Sequence, residues 1–229
     1  MKTKNYQIAI DGPAGSGKST IAKLLAKKLG FLYIDSGAMY RAITLYLIEN
    51  NILNKPEGTI TSILKKIKIN FRKARNNQAV ILNHKDVSKK IRSFLVNKNV
   101  SEVSSRKSIR RELVKRQKGI AKNQSVVMDG RDIGTTVLPK ADLKIYLTAS
   151  AYIRAIRRKK DMIKLSEKIS TNELIKQIQK RDNLDSSRAI SPLSKAPDAI
   201  IIDSTNLTID DVLKQISCFL PSSRNQVKL

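Results

Sequence analysis

Tyr6-Gln-Ile-Ala-Ile-Asp11-Gly12-Pro-Ala-Gly15-Ser-Gly17-Lys18-Ser19-Thr20 is the stretch that decides the fold. Residues 6–11 form a short apolar run of the kind found in buried strands, and Gly12 to Ser19 fits G-x-x-x-x-G-K-[ST] in full. From Ser19 onward Ile21, Leu24, Leu25, Ala26 and Leu29 recur at helical spacing, and Gly30 stands where a C-terminal cap belongs. In a strand–loop–helix unit of this kind the glycines let backbone N–H groups turn inward around a triphosphate, and the helix N-terminus adds positive potential. Gly12, Pro13, Ala14, Gly15, Ser16, Gly17, Lys18, Ser19 and Thr20 are therefore the candidate nucleotide cradle. Lys18 would reach the β- and γ-phosphates, and the Ser19 hydroxyl would ligate Mg²⁺.

Working outward, Phe31 to Asp35 reads as a second strand and Ala38 to Asn50 as a second helix. Ser125 to Asp129, Leu143 to Leu147 and Ala199 to Asp203 are three further buried-strand runs. Helical, charge-rich segments lie near 151–165 and 171–183, and Ser105 to Lys122 is helical as well. The middle is different in style. Ile67 to Phe71 and Gln78 to Leu82 are β-like runs joined by the turn-rich RKARNN stretch, and a tight turn is expected at Asn83-His84. This makes residues 52–100 a small mixed insertion in an α/β chain whose core is a parallel sheet covered by helices. Ser222 to Leu229 is expected to fray.

Composition narrows the function. In 229 residues, 41% hydrophobic content supplies a core and 28% charged content argues against wholesale disorder. A single Cys218 and a single His84 exclude a disulfide framework and disfavour a His/Cys metal centre or a His-based triad. No apolar run approaches the roughly 18 residues of a membrane span, and no signal peptide is evident, so a cytoplasmic protein without membrane partners is expected. The formal charge of +26 suggests anionic ligands. Most of it is Lys on a Lys/Asn/Ile-rich background, which is the plainer reading. The excess is densest from Lys65 to Lys122, where a polyanion-binding face would lie. Aromatics at 4%, with no Trp, supply little for stacking a single strand, so no obligatory nucleic-acid partner is expected.

Three glycines sit in the cradle, and Gly37, Gly130 and Gly134 follow other strands directly, bordering the crevice where open α/β sheets bind ligands. Ser36 reads as a helix cap, and Arg41 faces either solvent or an anionic acceptor. Asp129 ends an apolar strand, the pattern of a metal or water organiser. Arg131 and Asp132 share one glycine-hinged loop and form either a ligand site or a local salt bridge. Arg181, Asp185 and Arg188, spaced four and three apart, would share one face if helical, as a binding site or as a solvated ion-pair ladder. Arg154, Arg157 and Arg158 form a second arginine cluster on the preceding helix, and guanidinium forks suit bidentate phosphate recognition. A cradle for NTP, Mg²⁺, arginines and a second anion site are the parts that phosphoryl transfer requires.

The sequence resembles the bacterial cytidylate kinases, the (d)CMP kinases of the nucleoside monophosphate kinase family. The likeness is carried by IAIDGPAGSGKST (8–20), YIDSGAMYRA (33–42), LN-x-x-DVS-x-x-IR (Leu82 to Arg92), VSEVSS (100–105), MDGRDIGTTVLP (128–139) and RD-x-x-D-x-x-R-x-x-x-PL (Arg181 to Leu193). It implies a five-stranded parallel P-loop core over 1–35 and 101–229, with a short helical lid at about 151–170. Residues 36–100 would be the monophosphate-binding region that contains the insertion. The implied reaction is ATP + (d)CMP → ADP + (d)CDP with Mg²⁺, run by a monomer on small-molecule substrates. By the same resemblance Ser36, Ser101, Arg110 and Asp132 would read the cytosine, Asp185 with Arg181 would hold the ribose, and Arg41, Arg131 and Arg188 would bind the acceptor phosphate. Lys18, Arg131, Asp132 and Arg188 would be the catalytic set. Arg154, Arg157 and Arg158 would close over the triphosphate, and Ser19 with Asp129 would hold the metal.

The chain departs from the family pattern in two places. Asn83-His84 stands where the family has Asn-Gly, so the hairpin turn is expected to be altered or mildly strained, with His84 exposed. The charge of +26 is also high for the family. A sibling kinase for UMP, AMP or another small anionic acceptor is the nearest alternative, and the insertion between Ile52 and Val100 argues against it. A basic P-loop protein whose main ligand is RNA or DNA is the alternative from another class.

Overall fold

The computed structural model describes residues 5–73, 78–163 and 170–221. Five parallel strands form the principal sheet: β1 (Gln7–Asp11), β2 (Leu32–Asp35), β6 (Val126–Gly130), β7 (Leu143–Thr148) and β8 (Ile200–Asp203), in the order β2-β6-β1-β7-β8. β1 is central. Its Ile8 aligns with Val127 of β6 on one side and with Leu143 of β7 on the other. Ile8, Ala9 and Ile10 are fully buried, as expected for a strand covered on both faces.

α1 (Lys18–Leu29) returns across this sheet and buries Ile21, Ala22, Leu25 and Ala26. Gly30 ends it in the left-handed conformation at φ 67°, so that its own N–H and that of Phe31 reach back to the last carbonyls. α8 (Ile209–Ser217) opens with a capping box: Thr208 accepts from the Asp211 N–H while Asp211 accepts from that of Thr208. α6 (Ala151–Ile163) and α7 (Thr171–Ser186) meet through Ala155, Leu174 and Ile178. Part of the expected lid, residues 164–169, lies outside the described residues, as do the RKARNN turn at 74–77 and the 222–229 tail.

The chain divides into two compact units, 1–33 with 121–229, and 34–120. The break expected after residue 100 falls inside α4 (Phe94–Ser105). α5 (Lys107–Lys122), expected with the core, lies almost wholly in the 34–120 unit, because Ile109 and Leu113 pack into that unit's own apolar cluster. The same cluster takes in α2 (Ser36–Glu49) and buries Ile60 and Leu64 of α3 (Glu57–Leu64). β3 (Ile69–Lys73), β4 (Gln78–Leu82) and β5 (Lys85–Asp86) form a small antiparallel sheet.

Two arginines close the loops of this unit. The Arg106 guanidinium donates to Leu53 O, Lys55 O and Glu57, and that of Arg116 donates to Leu64 O, Ile67 O and Glu112. The β4–β5 turn forms at Asn83 and His84, both at positive φ (44° and 71°), with His84 exposed. The turn is thus kept, and the side chain at its second position carries the left-handed conformation that glycine would adopt freely.

Candidate active site

The glycine loop leaves β1 and enters α1. Gly12 has φ 146°, and a Cβ there would overlap the Leu147 carbonyl of β7, so close backbone approach demands glycine. Gly17, at φ 90°, turns the chain into α1. Lys18 is 5% exposed and arches over the loop, its Nζ donating to Pro13 O at 2.6 Å and to Ser16 Oγ at 3.3 Å. Burial and the positive charge of Arg131 hold the Lys18 ammonium well below its usual pKa, against the pull of Asp129 and Asp11.

Ser19 donates its hydroxyl to Asp129 Oδ2 at 2.7 Å, and Tyr33 OH donates to Asp129 Oδ1 at 2.9 Å. The strand-end carboxylate therefore meets the first-turn hydroxyl of α1, and both supply hard oxygen. Tyr33 is a partner that sequence reasoning missed.

The arginines expected to close over a triphosphate lie against the loop's backbone. Arg154 is 7% exposed; it donates to Ala14 O (3.1 Å), Ala149 O (2.9 Å) and Asp182 Oδ2 (2.6 Å). Arg157 donates to Ser16 O, Ser204 Oγ and Ser204 O, and Ser204 Oγ itself donates to Ser16 O at 3.2 Å. Carbonyls that would otherwise point unsatisfied from a tight loop are thus held by α6 and by the chain after β8. Arg158 is half-buried on the same helix. Asp182 falls inside the RD-x-x-D motif, where nothing in the sequence pairs it with Arg154, and Ser204 lies outside every quoted motif, so only the folded contacts give these two their partners.

On the neighbouring loop, Asp11 accepts from Ile133 N–H at 2.8 Å and Gly134 N–H at 2.7 Å. It thereby fixes the start of the short π-helical turn Ile133–Val137, directly after Arg131 and Asp132. Burial raises the Asp11 pKa to about 6, with the two amide bonds opposing it. Asp132 is itself buried.

Arg131 does not close a local turn with Asp132; its Nε donates to Asp185 Oδ2 at 2.8 Å. Arg188 also donates to Asp185, and Arg181 Nε lies 3.9 Å from it. The run is only partly helical. α7 ends at Ser186, and Arg188 reaches back from beyond the helix while Leu193 N–H donates to Asp185 O at 2.7 Å. With Asp185 2% exposed, this is a buried cluster and not a solvated ladder. Burial alone would raise the Asp185 pKa, but Arg131, Arg188 and Arg181 outweigh it and hold the carboxyl below its usual range.

The 34–120 unit carries the remaining candidates. Asp35, not Ser36, caps α2: its carboxylate accepts from Ala38 N–H at 2.8 Å, which leaves Ser36 as the first helical residue, buried. Arg41 is half-buried on the same helix. Ser101 lies on α4. Arg110 is 2% exposed; its Nε donates to Ser104 O at 3.1 Å and its guanidinium stacks 5.2 Å over the Tyr40 ring. Tyr40 and Ser104 both fall inside the quoted motifs, where nothing in the sequence pairs them with Arg110.

The family model described as cytidylate kinase matches residues 8–221. The chain belongs to that family. It is accordingly a phosphotransferase. A cytidylate kinase from Limosilactobacillus reuteri is 47% identical over 225 residues, covering 98% of this chain and 99% of its own. One from Fusobacterium nucleatum is 51% identical over 213 residues, covering 93% and 96%. The crystal structure of an uncharacterized protein from Eubacterium ventriosum shares the fold, with a TM-score of 0.51 and 13% identity over 95% of this chain and 99% of that one. Among the described residues no helix is long and apolar enough to cross a membrane.

Proposed function

We propose that the chain transfers the γ-phosphoryl group of ATP to CMP or dCMP, giving CDP or dCDP, with Mg²⁺, as a monomer in the cytoplasm. The observation that carries this reading is a glycine loop with Lys18 buried over it, in a chain that matches cytidylate kinases over nearly its whole length. A phosphoryl transfer spreads charge over the group in flight, so catalysis is mostly alignment and charge stabilisation.

The Gly12–Thr20 loop binds the triphosphate, with Lys18 moving its ammonium from Pro13 O to the β- and γ-oxygens. A phosphate there opposes the burial that lowers the Lys18 pKa. Ser19 and Asp129 are the residues that would hold Mg²⁺; a hydroxyl and one carboxylate are hard-oxygen donors of the kind the ion takes beside phosphate and water. The ion would neutralise charge on the donor phosphates.

Ser36, Ser101, Arg110 and Asp132 read the cytosine. Asp185 and Arg181 hold the ribose, and Arg41, Arg131 and Arg188 take the acceptor phosphate. Asp185 keeps Arg131 and Arg188 ordered, so their planar donors are already aligned when an anion arrives. Arg154, Arg157 and Arg158 act on the triphosphate, the first two by exchanging loop carbonyls for phosphate oxygens.

The test is an ADP-release assay with ATP, Mg²⁺ and a panel of CMP, dCMP, UMP, AMP and GMP. Turnover confined to CMP and dCMP is expected, with Lys18→Ala slower by roughly a thousandfold. Turnover with a different acceptor overturns the specificity, and full activity in Lys18→Ala overturns the cradle assignment.

A further inference from the structure

The proposed reaction leaves one charged feature unused. Lys107, Arg111, Lys115, Lys118 and Lys122 are all exposed on α5, spaced four, four, three and four residues apart. At 3.6 residues per turn this puts five cations within an arc of about 80° along about 22 Å of helix. The opposite side of α5 is turned into the apolar core through Ile109 and Leu113, both fully buried.

The other charged groups of α5 face elsewhere or are already paired. Arg110 is buried, Arg116 holds Glu112 at 2.7 Å, and Glu57, near the start of the helix, is bound by Arg106 and the Ser108 N–H. Among the described residues none of the five stripe side chains has an acidic partner. No acidic position of α5 falls on the arc.

We infer that this stripe is a binding surface for the phosphodiester backbone of a single-stranded nucleic acid, separate from the nucleotide chemistry. A straight row of unopposed cations on a rigid helix matches a linear polyanion that carries one charge per residue. A bilayer surface fits less well, since interfacial helices bring an apolar face to the acyl boundary and the apolar face of α5 is consumed by its own core. The helix carries no aromatic residue, so bases find nothing to stack on and contact is with phosphate alone. Recognition is therefore independent of sequence and strongly dependent on salt.

The general lysine excess of the chain makes its own control. Fluorescence anisotropy of the 229-residue chain with a labelled oligouridylate of about 20 nucleotides is measured between roughly 50 and 200 mM salt. The quadruple variant Lys107→Gln, Arg111→Gln, Lys115→Gln, Lys118→Gln is compared with a second variant that loses the same number of charges from exposed positions elsewhere: Lys140→Gln, Lys176→Gln, Lys195→Gln, Lys214→Gln. The native protein is expected to show a log–log salt slope near −3, about 0.7 per neutralised phosphate for four to five contacts. The stripe variant should bind at least about tenfold more weakly with a clearly shallower slope, and the control variant should stay within about threefold of native. Kinase turnover should be unchanged in both, which shows that the fold is intact. Equal losses in the two variants overturn the inference, because net charge alone would then explain binding. Tighter binding of the native protein to phosphatidylglycerol vesicles or to oligoglutamate than to the oligonucleotide also overturns it and reassigns the surface to those partners.

Discussion

Among the described residues, the unit built on β1 buries Asp11, Lys18, Asp129, Asp132, Lys144, Arg154 and Asp185, whereas the 34–120 unit buries only one charged side chain, Arg110. Burying a charge is costly unless it is paired and hydrogen-bonded, and nothing about packing a parallel sheet requires it. Most of the seven stand in or beside the glycine loop, at the ends of β1 and β6, or in the Asp185 cluster, where the loops that bind ligands emerge. The 34–120 unit instead fills its interior with Met39, Ile43, Leu47, Ile60, Val100 and Leu113. The first unit therefore gives up stability for a preorganised polar interior. The second has an ordinary apolar core into which a single guanidinium has been set. Substitutions should be severe at the buried charges of the first unit, selective at Arg110, and mild at the exposed hairpin, which holds no buried charge.

The sharpest break in that pattern is Asp185→Ala. It leaves Arg131, Arg188 and Arg181 facing one another without their shared carboxylate. Removing one partner from a buried cluster costs about 3–5 kcal/mol, so a chemical-denaturation curve should shift by that amount. Turnover should fall by roughly a thousandfold in the folded fraction, as the donors lose their alignment. A variant of native stability and activity would mean the three arginines do not depend on Asp185.

Arg110→Met tests the single buried charge of the other unit. On the proposed assignment KM for CMP rises by roughly a hundredfold, the loss of a charge-assisted recognition pair, while KM for ATP stays within about twofold. Equal losses for both nucleotides would make Arg110 a structural residue holding Ser104 and Tyr40.

The same contrast governs what could be read from the sequence. The strand–loop–helix opening was legible because the glycine motif and the Ile21, Leu25, Leu29 period agree, and both are local. The spacing of Arg181, Asp185 and Arg188 brought three members of the buried cluster together, but Arg131, 54 residues away, joins them only in the fold. Asp11 gave no sign that it would accept two amides more than a hundred residues on. α3 and α4 were missed for a different reason. GTITS and NKNVSEVSS are poor helix formers, and tertiary burial of Ile60, Leu64, Val96, Val100 and Val103 overrides their weak propensity.

Asp11→Asn separates positioning from stability within the charged unit. The amide keeps the shape of the carboxylate but presents a donor to one of two N–H groups, so the loop carrying Arg131 and Asp132 loosens. We expect kcat to fall roughly tenfold with KM for ATP little changed. Stability should respond to pH in the opposite sense. The native Asp11 carboxyl titrates at about 6 against 3.8 in the unfolded chain, so the unfolded state ionises first. Native stability from this group is full below pH 3.8 and lost as pH rises through 6, a change of about 3 kcal/mol at 1.36 kcal/mol per unit. Asparagine has no such titration. The stability of the variant relative to native must therefore rise between pH 4 and 6, and a flat difference would show that the Asp11 carboxyl is not held neutral by burial.

The smallest effect belongs to the hairpin of the apolar unit, where no buried charge is at stake. Asn83 and His84 both occupy the left-handed region, and His84 is exposed. Holding a side chain there costs about 1–2 kcal/mol, whereas glycine adopts it freely. Glycine also loses more chain entropy on folding, by about 0.5–1 kcal/mol, which offsets part of the gain. His84→Gly should thus stabilise by about 0.5–1 kcal/mol, raising the melting temperature by roughly 1–4 °C for a chain of this size, with turnover unaltered. A fall in melting temperature would mean that the imidazole makes a contact worth more than the strain of its backbone. The 34–120 unit would then hold a polar interaction at its surface that its apolar core does not reveal.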